Sequence, residues 1–513
     1  MEARRAESDH WHLFLAFTPM SIRVRGPNGK LSSLSYQNDS LQITNGSTTT
    51  VPLRQVLGAK RASRSFELSY LRRSKTMGLE TLTGILPDEV TDDVADAWIE
   101  TLLQMAYEGM GVSRQRRLKV VINPHGGTKK AVGIFKKSVE PIFLAAECTL
   151  DVVHTTRPGH AYDIGKDLSL TDYDAIAILS GDGLVHEILN GLAHNLHPIK
   201  ALATPLAPIP TGTGNGLSLN ILGFDDGFDV GVAALNAVKG LPMKVDLCSV
   251  TQNGKRTISF MSQAMGLMAD LDIGTEHLRW MGEARFSYGF LRGCGLFVSL
   301  QALGSNADPP VIKMKPSPLR ILIKEYESDK EKMFEALQQR KKNPPAATKP
   351  AEADLESTQL PTLKYALDDE EGWTVVQEPL LYLFAGKGPY VGRHVYLSTQ
   401  SLLSTLFRDY MSFPVSLPDD GLLDIVLQTT NVSRVELLRN QSAAPKGLVY
   451  WHPSVRYVKA HAYRVKPLAS KGALAVDGEI FPFEEFQVEA HSKLGCFLSP
   501  FGYYAAPFER HTY

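Results

Sequence analysis

Three short glycine-containing segments, each directly after a run typical of a buried strand, constrain the fold of this chain more than any other feature. The segments are 123–127, 180–183 and 210–216, and they follow apolar runs at 118–122, 175–179 and 207–209. A helical pattern follows each segment, so that strands and helices alternate along the chain. This alternation predicts an α/β fold with a doubly wound parallel sheet, in which ligands bind at the carboxyl ends of the strands.

Glycine loops at the ends of strands indicate a site for phosphate groups. Glycine lets the backbone bend so that several N–H groups converge, and a helix N-terminus adds partial positive charge. Ordinary tight turns also use glycine, so one loop is weak evidence, whereas three in one sheet favour a nucleotide site. No segment matches Gly-x-x-x-x-Gly-Lys-Ser/Thr, which excludes a Walker-type loop. None matches Gly-x-Gly-x-x-Gly with a ribose-binding acid, which disfavours a dehydrogenase.

Asp182 lies between two glycines of the second segment, in the open and where phosphates are expected. A turn or helix-cap role is the structural alternative for an Asp in this setting. A carboxylate beside phosphates repels them, however, and the role that fits is to accept a proton from an attacking hydroxyl group. On the following helix, Glu187 is expected to orient a loop or reach a nucleotide hydroxyl, and His186 to be a hydrogen-bonded structural residue.

Length and composition allow two or three domains. The 513 residues carry 54 Lys+Arg and 55 Asp+Glu, and this balance disfavours nucleic-acid binding through bulk charge. We expect an N-terminal extension of unknown role over 1–112, a nucleotide domain over 113–242, and a β-rich, sandwich-like domain over 243–513. Within the last, 326–363 is expected to be a flexible surface insertion. The basic residues between 60 and 75 are expected in a solvated loop, with a surface for acidic lipids as the alternative.

Four cysteines lie far apart and form no CxxC pair, which suits a reducing cytosol. The first residues include acids, and no apolar run reaches the ~20 residues of a membrane-spanning helix. The protein is therefore expected to be cytoplasmic, with only peripheral contact with membranes.

Taken together, Asn-Pro-His-Gly-Gly at 123–127, Ser-Gly-Asp-Gly-Leu-Val-His-Glu at 180–187 and Gly-Thr-Gly-Asn at 212–215 resemble the diacylglycerol-kinase-type catalytic fold. Within it the match is closest to sphingosine kinases, because Ser180 and the Leu-Val-His-Glu continuation are similar to those enzymes. The resemblance covers about 118–290 and resumes near 475–479. His125 departs from the animal pattern, which has Arg there, and a neutral His offers fewer donors to phosphate.

The resemblance implies that Asp182 is the catalytic base and that Ser180, Gly181 and Gly183 line the lipid head-group site with it. It further implies that ATP is held by Asn123, Pro124, His125, Thr155, Thr156, Arg157, Pro158, Gly159, Glu187, Gly212, Thr213 and Gly214.

The later part of the chain is similar to family segments that complete both sites. The resemblance implies that Asp272 meets the substrate's amino group, that Arg279 and Arg285 meet nucleotide phosphates, and that Asp477, Gly478 and Glu479 form a nucleotide-side loop. A carboxylate is also the natural partner of the ammonium group of a sphingoid base. The alternatives are helical ion pairs for the two arginines and an ordinary hairpin turn for 477–479.

These features predict ATP-dependent phosphorylation of the primary hydroxyl of a sphingoid long-chain base (sphingosine, dihydrosphingosine or phytosphingosine). Mg²⁺ is implied as a cofactor because it offsets phosphate charge, and the sequence assigns no ligands to it. A related kinase for ceramide, diacylglycerol or NAD is one alternative; the lipid-chain pocket and Asp272 count against NAD and uncharged glycerides. A catalytically silent lipid-binding protein is another, and the presence of Asp182, both arginines and all three loops counts against that.

Overall fold

The computed structural model describes residues 21–37, 39–127, 129–212, 214–274, 318–343, 357–392 and 410–510. These residues form two compact units. The first contains the described residues up to Lys119 together with 133–151 and 229–241. The second contains 120–132, 152–228 and the described residues from Pro242 onward. The three-domain division predicted above stays a prediction.

A seven-stranded antiparallel sheet dominates the first unit, in the order β4-β3-β2-β1-β7-β6-β5. Its strands are β1 Ser21–Arg25, β2 Leu31–Gln37, β3 Ser40–Thr44, β4 Thr48–Pro52, β5 Val56–Ala62, β6 Ser65–Arg73 and β7 Met77–Ile85. Most of the basic residues between 60 and 75 thus lie in strands, and the predicted loop is wrong. Phe66 and Leu68 alternate with polar residues at the start of β6, whereas the stretch from Leu68 to Leu71 is buried on both faces of the sheet.

A helix follows this sheet. α1, Asp92–Ala106, begins after Thr91, whose side chain accepts a hydrogen bond from the Val94 N–H. Apolar residues at helical spacing, including Trp98 and Leu102, are fully buried. Short 3₁₀ turns occur at Leu53–Gln55 and Glu108–Met110.

Strands and helices alternate from residue 117 to 239, as predicted. The elements in order are β8 Arg117–Ile122, a continuous helix α2 (Ala131–Ile134, the π turn Phe135–Val139, and Glu140–Ala145), β9 Thr149–His154, α3 His160–Lys166, β10 Ala175–Ser180, α4 Asp182–Leu192, α5 Pro198–Leu202, β11 Leu206–Pro210, α6 Gly216–Leu222 and α7 Val230–Lys239. β10 and β11 pair in parallel, with Ser180 opposite Pro210. The carboxyl ends of these strands therefore bring the second and third glycine loops to the same edge of the sheet.

The described residues from 241 onward are rich in β-structure, also as predicted. Its strands are β12 Leu241–Gln252, β13 Lys255–Ser259, β14 Ser262–Gly266, β15 Leu319–Glu327, β16 Thr374–Val376, β17 Leu380–Gly386, β18 Tyr390–Gly392, β19 Tyr410–Met411, β20 Leu423–Thr429, β21 Val455–Pro467, β22 Leu474–Val476, β23 Glu479–Phe481 and β24 Phe486–Ser499. Its helices are α8 Leu267–Gly274, α9 Lys330–Lys342 and α10 Arg434–Ala443, followed by 3₁₀ turns at Ala444–Lys446 and Leu448–Trp451. β24 pairs in parallel with β11, which joins this region to the sheet of the α/β part.

The predicted flexible insertion 326–363 is wrong for its first half. Residues 330–342 form helix α9, which begins after Asp329 and buries Met333 and Leu337 in an apolar cluster of the β-rich region. Two apolar residues at i and i+4 anchor a helix that is otherwise highly polar. Residues 344–356 lie outside the described part of the chain.

Candidate active site

The three glycine loops meet at the carboxyl edge of the sheet. A Cβ atom on Gly212 would lie 2.5 Å from the Gly181 Cα, and one on Gly127 would lie 2.9 Å from the Gly212 Cα. Gly127 also has a φ of +53°, which favours glycine. Only glycine permits these backbone approaches. The predicted convergence of the loops is therefore a property of the fold.

Asn123 shapes the first loop. Its Oδ1 accepts hydrogen bonds from the backbone N–H groups of His125 and Gly126, both at 3.0 Å, and this turn reverses the chain after β8. A Cβ on Gly126 would lie 3.5 Å from the Ser180 Oγ, so the first and second loops are neighbours. The His125 side chain is exposed at the tip of the loop.

Asp182 is the first residue of α4, and its carboxylate is buried rather than open, with only 9% of the residue exposed. Oδ2 accepts a hydrogen bond from the Gly216 N–H at 2.7 Å, and Oδ1 accepts one from the Leu217 N–H at 3.2 Å. The pKa of Asp182 is raised to about 6, chiefly by burial and in smaller part by the charge of Asp477, while the hydrogen bonds from the two amides act in the opposite direction. This carboxyl group therefore changes protonation state close to neutral pH.

Asp477 is the most heavily hydrogen-bonded carboxylate near this site. It lies in the turn between β22 and β23, where Asp477 has a φ of +50° and Gly478 one of +82°. A two-residue hairpin loop with positive φ at both positions favours Asp-Gly. The side chain accepts hydrogen bonds from the Ser259 hydroxyl, the backbone N–H groups of Phe260, Met261 and Ser262, and His186 Nδ1. Asp477 thus fixes the hairpin to the turn between β13 and β14.

His186 and Asn190 connect α4 to these strands. His186 Nδ1 lies 2.8 Å from the Asp477 Oδ2, and its Nε2 lies 3.3 Å from the Asn190 Nδ2. Asn190 also exchanges two hydrogen bonds with the backbone of Ile258. Burial lowers the pKa of His186, but the bond to Asp477 and the charges of Asp477, Glu479 and Glu187 outweigh it and raise the pKa above its usual value.

Two buried polar atoms near the loops have no partner within the described residues. Glu187 Oε2, on α4, and Thr211 Oγ1, at the end of β11, are both buried without a hydrogen bond. Burying such atoms unsatisfied costs free energy, so each is a candidate for contact with a bound ligand. Thr211 directly precedes the loop Gly212–Gly214. Sequence reasoning did not select it, although its position beside the glycines was a usable signal.

The loop after β9 leads into α3 and contacts its first residue, His160. The Thr155 N–H donates to the Ile122 carbonyl at 2.9 Å, and the Thr156 N–H donates to His160 Nδ1 at 3.1 Å. Arg157 forms an exposed ion pair with Asp163. Pro158 and Gly159 complete the turn into α3, and Gly159 has a φ of +77°.

Several predicted residues are described only in part. Glu479 is exposed, and its Oε1 would lie 3.0 Å from a Cβ on Gly183, so it borders the second loop. Asp272 belongs to α8, and its side chain lies outside the described part of the structure, as do residues Thr213, Arg279 and Arg285. Among the described residues, no three His, Cys, Asp or Glu side chains are grouped as a metal site.

Comparison with known proteins identifies the family. The diacylglycerol kinase catalytic domain family matches residues 117–250. Sphingoid long chain base kinase 4 of Schizosaccharomyces pombe is 30% identical over 480 residues, which are 91% of this chain and 93% of that protein. This chain belongs to the sphingoid long-chain-base kinase family. Sphingosine kinase 1 of Homo sapiens is 28% identical over 74% of this chain and 89% of its own length. Membership of this family makes the chain a lipid kinase and confirms the predicted fold and enzyme class.

Proposed function

We propose that this chain transfers the γ-phosphoryl group of ATP to the primary hydroxyl of a sphingoid long-chain base, which yields its 1-phosphate. The observation that carries the proposal is the buried carboxylate of Asp182 at the point where three glycine loops converge. Its pKa of about 6 leaves it ionised at pH 7 and able to accept the proton of the attacking hydroxyl. The names of the S. pombe and human relatives support the substrate class.

ATP occupies the loops around Asn123, Gly212 and Gly214 in this proposal. Backbone N–H groups of such loops suit phosphate oxygens. The unsatisfied Glu187 Oε2 accepts a hydrogen bond from a nucleotide hydroxyl, and the Thr211 hydroxyl donates to a phosphate oxygen. Pro124, His125, the 155–159 loop, Thr213 and the 477–479 turn complete the nucleotide side, and Arg279 and Arg285 offset phosphate charge.

An apolar cluster to which α6 and β22 contribute is suited to the hydrocarbon chain of the lipid. Leu219 lies on α6, two residues after Leu217, and Ala475 lies on β22, two residues before Asp477. Leu219 and Ala475 both belong to this cluster. The cluster continues to a small cavity lined by Phe384, Tyr410, Met411, Ser412, Val426, Val449, Tyr450, Val455 and Tyr457.

Helix α8 packs on the same cluster through Leu267, Met268 and Ala269. That helix carries Asp272, for which we propose the contact with the substrate ammonium. Ser180, Gly181 and Gly183 border the reacting hydroxyl beside Asp182. An ammonium contact from Asp272 and a hydroxyl contact from Asp182 together define the head group of a sphingoid base.

Mg²⁺ enters the proposal as the partner of the ATP phosphates. Magnesium in kinases keeps several waters and binds through one or two carboxylates plus phosphate oxygens, so no dedicated protein cage is required. The described residues are compatible with this, since they contain no group of three metal-ligating side chains. The metal supplies neutralisation of charge on the transferred group.

We further propose a cytoplasmic protein that binds membranes peripherally. No helix within the described ranges is both long and apolar enough to cross a bilayer.

On the N-terminal sheet, Arg25 lies opposite Leu31 on β2 and Ile85 on β7, and these apolar side chains are 40% and 60% exposed. Residues that lie opposite each other share one face of a sheet, so Arg25 lies between the exposed side chains of Leu31 and Ile85. Lys30 adds a second positive charge next to Leu31 in sequence. Such a surface suits an anionic lipid interface. Among the described residues, the thiols of Cys248 and Cys496 are buried and form no disulfide, which suits a reducing compartment.

The test uses purified protein, labelled ATP and a panel of sphingosine, dihydrosphingosine, phytosphingosine, ceramide and diacylglycerol. We expect phosphorylation of the three free bases and little of the two uncharged lipids. A preparation of Asp182→Asn, purified in parallel, controls for contaminating kinases. Preferred phosphorylation of ceramide or diacylglycerol would reassign the substrate, and no product from any lipid would contradict the proposed activity.

A further inference from the structure

A buried histidine–carboxylate pair lies one helical turn beyond Asp182. His186 is on the same helix, four residues later, and residues at i and i+4 share one face. His186 is 9% exposed and Asp477 is 3% exposed, and their side chains are 2.8 Å apart. The hydrogen bond joins α4 to a hairpin 291 residues later in sequence.

The other charged groups around His186 are few. Glu187 on its own helix and Glu479 on the hairpin add negative charge. On β13, Lys255 is exposed and Arg256 contacts Ser249 and His491 instead. The remaining elements packed on α4 are α3, α5 and β10. On α3, His160 contacts Thr156, Asp163 is paired with Arg157, and Lys166 is exposed; α5 carries Lys200, and β10 is uncharged. Asp477 is therefore the one titratable side chain hydrogen-bonded to His186 within the described residues.

Asp477 cannot turn away from the site to reduce its effect on Asp182. Its two oxygens are held by the Ser259 hydroxyl, three backbone N–H groups and His186. A fixed negative charge near a buried carboxyl disfavours ionisation of that carboxyl. An uncompensated Asp477 would thus work against the ionised form that a base requires.

We propose that His186 is a positioning residue for phosphoryl transfer: as an imidazolium paired with Asp477, it offsets the negative charge of Asp477 and keeps Asp182 in the carboxylate form that accepts the proton. The inference rests on the proposed function, because it takes Asp182 to be the base. The two titrations are consistent with it. The pKa of His186 is raised above its usual value while that of Asp182 is about 6, so His186 is charged while Asp182 titrates.

The decisive variant is His186→Asn. The Asn Nδ2 can replace His Nδ1 as donor to Asp477, so the hydrogen bond to Asp477 persists, while the charge and the contact of Nε2 with Asn190 are lost. We measure kcat/KM for sphingosine between pH 5 and 9 and compare each profile with wild type, so that ionisation of ATP and substrate cancels. If the apparent pKa of Asp182 rises by about half a unit to one unit, the rate at pH 6 relative to pH 8 falls roughly twofold to fivefold.

His194→Asn is the matched control. His194 lies just beyond the same helix, and its Nδ1 contacts the Asn190 carbonyl, with no carboxylate partner among the residues described. We expect its ratio of rates at pH 6 and pH 8 to equal that of wild type. If His186→Asn does not fold, His186→Gln serves as the second uncharged amide variant. An unshifted profile in a folded His186 amide variant would overturn the proposal and leave His186 as a structural link between helix and hairpin.

A second measurement does not depend on activity. Melting temperatures are measured between pH 4.5 and 8 for proteins with Asp182 and for the same proteins carrying Asp182→Asn. The difference in melting temperature within each pair changes with pH as Asp182 titrates, and its midpoint reports the pKa of Asp182. We expect the midpoint to be higher in the His186→Asn background than in wild type. Identical midpoints would overturn the inference. If the midpoints differ but no sphingoid base is phosphorylated, the proposed function fails while the electrostatic coupling stands.

Discussion

Replacement of Asp182 by Asn should affect turnover and the free energy of unfolding differently, because burial of the ionised carboxylate destabilises the folded chain. Asn keeps the size of the side chain but cannot take up the proton of the substrate hydroxyl. We therefore expect turnover to fall about 10²- to 10⁴-fold, the usual contribution of a positioned acid or base. Stability should respond in a different, pH-dependent way.

The magnitude follows from the pKa. Asp182 has a pKa of about 6 in the folded chain against 3.8 for an ordinary Asp, so the folded state binds more protons between these values. The free energy of unfolding therefore falls as the pH rises through this window, by about 3 kcal/mol at 1.36 kcal/mol per unit. Asn does not titrate and escapes this loss. It does lose one of the two amide hydrogen bonds from Gly216 and Leu217, which costs roughly 1–3 kcal/mol at every pH.

The two effects predict a variant that is less stable than wild type near pH 4.5 and about as stable, or more stable, near pH 7.5. Thermal melts at four pH values and turnover of sphingosine at pH 7.5 measure both. Asp172→Asn, on an exposed loop before β10, is the matched control and should change neither. A difference in melting temperature that is the same at every pH would refute the buried-carboxylate reasoning. Turnover near the wild-type rate would refute the role of Asp182 as base.

Three further changes test other parts of the proposal. Glu187→Gln should raise the KM for ATP roughly tenfold or more in nucleotide titrations, since a hydrogen bond to a charged acceptor is worth ~1.5–3 kcal/mol. The melting temperature of this variant should be unchanged or higher in thermal melts. Asp272→Asn should lower kcat/KM for sphingosine roughly 30-fold to several thousand-fold, because removing one member of a charge pair costs ~2–5 kcal/mol. The KM for ATP should not change, and an equal loss with N-acyl-sphingosine would contradict this role. Leu337→Ala should destabilise the chain by ~2–5 kcal/mol in urea unfolding while kcat is retained, because Leu337 is buried.

The sequence was sufficient to predict the frame of the site. The apolar runs before the three glycine loops are β8, β10 and β11, and alternation with helices implied that their carboxyl ends meet. The close approach of Gly212 to Gly181 confirms this at atomic detail. The local sequence pattern predicted this part of the fold because the signals for strand, loop and helix all lie within about ten residues of one another.

The environment of Asp182 was not predictable in the same way. Its hydrogen-bond partners Gly216 and Leu217 are 34 and 35 residues away, and the carboxylate was expected in the open rather than buried. Contacts at such separation leave no signal in a local pattern. Similarly, the N-terminal region showed only hints of small strands, whereas it forms a complete seven-stranded sheet, because antiparallel pairing supplies stability that short alternations do not reveal.

Helix α4 explains how distant segments of the chain produce one site. Asp182, at its start, contacts the amides of α6; His186, one turn on, contacts the hairpin at Asp477; and Asn190, two turns on, contacts the backbone of β13. Each link uses a side chain that points to a different element, so the helix is held along its whole length. A base that transfers a proton must stay within hydrogen-bonding distance of the substrate hydroxyl, and a helix anchored at three levels keeps it there without relying on loops. The same anchoring places a histidine charge one turn from the base, which couples the geometry of the site to its electrostatics.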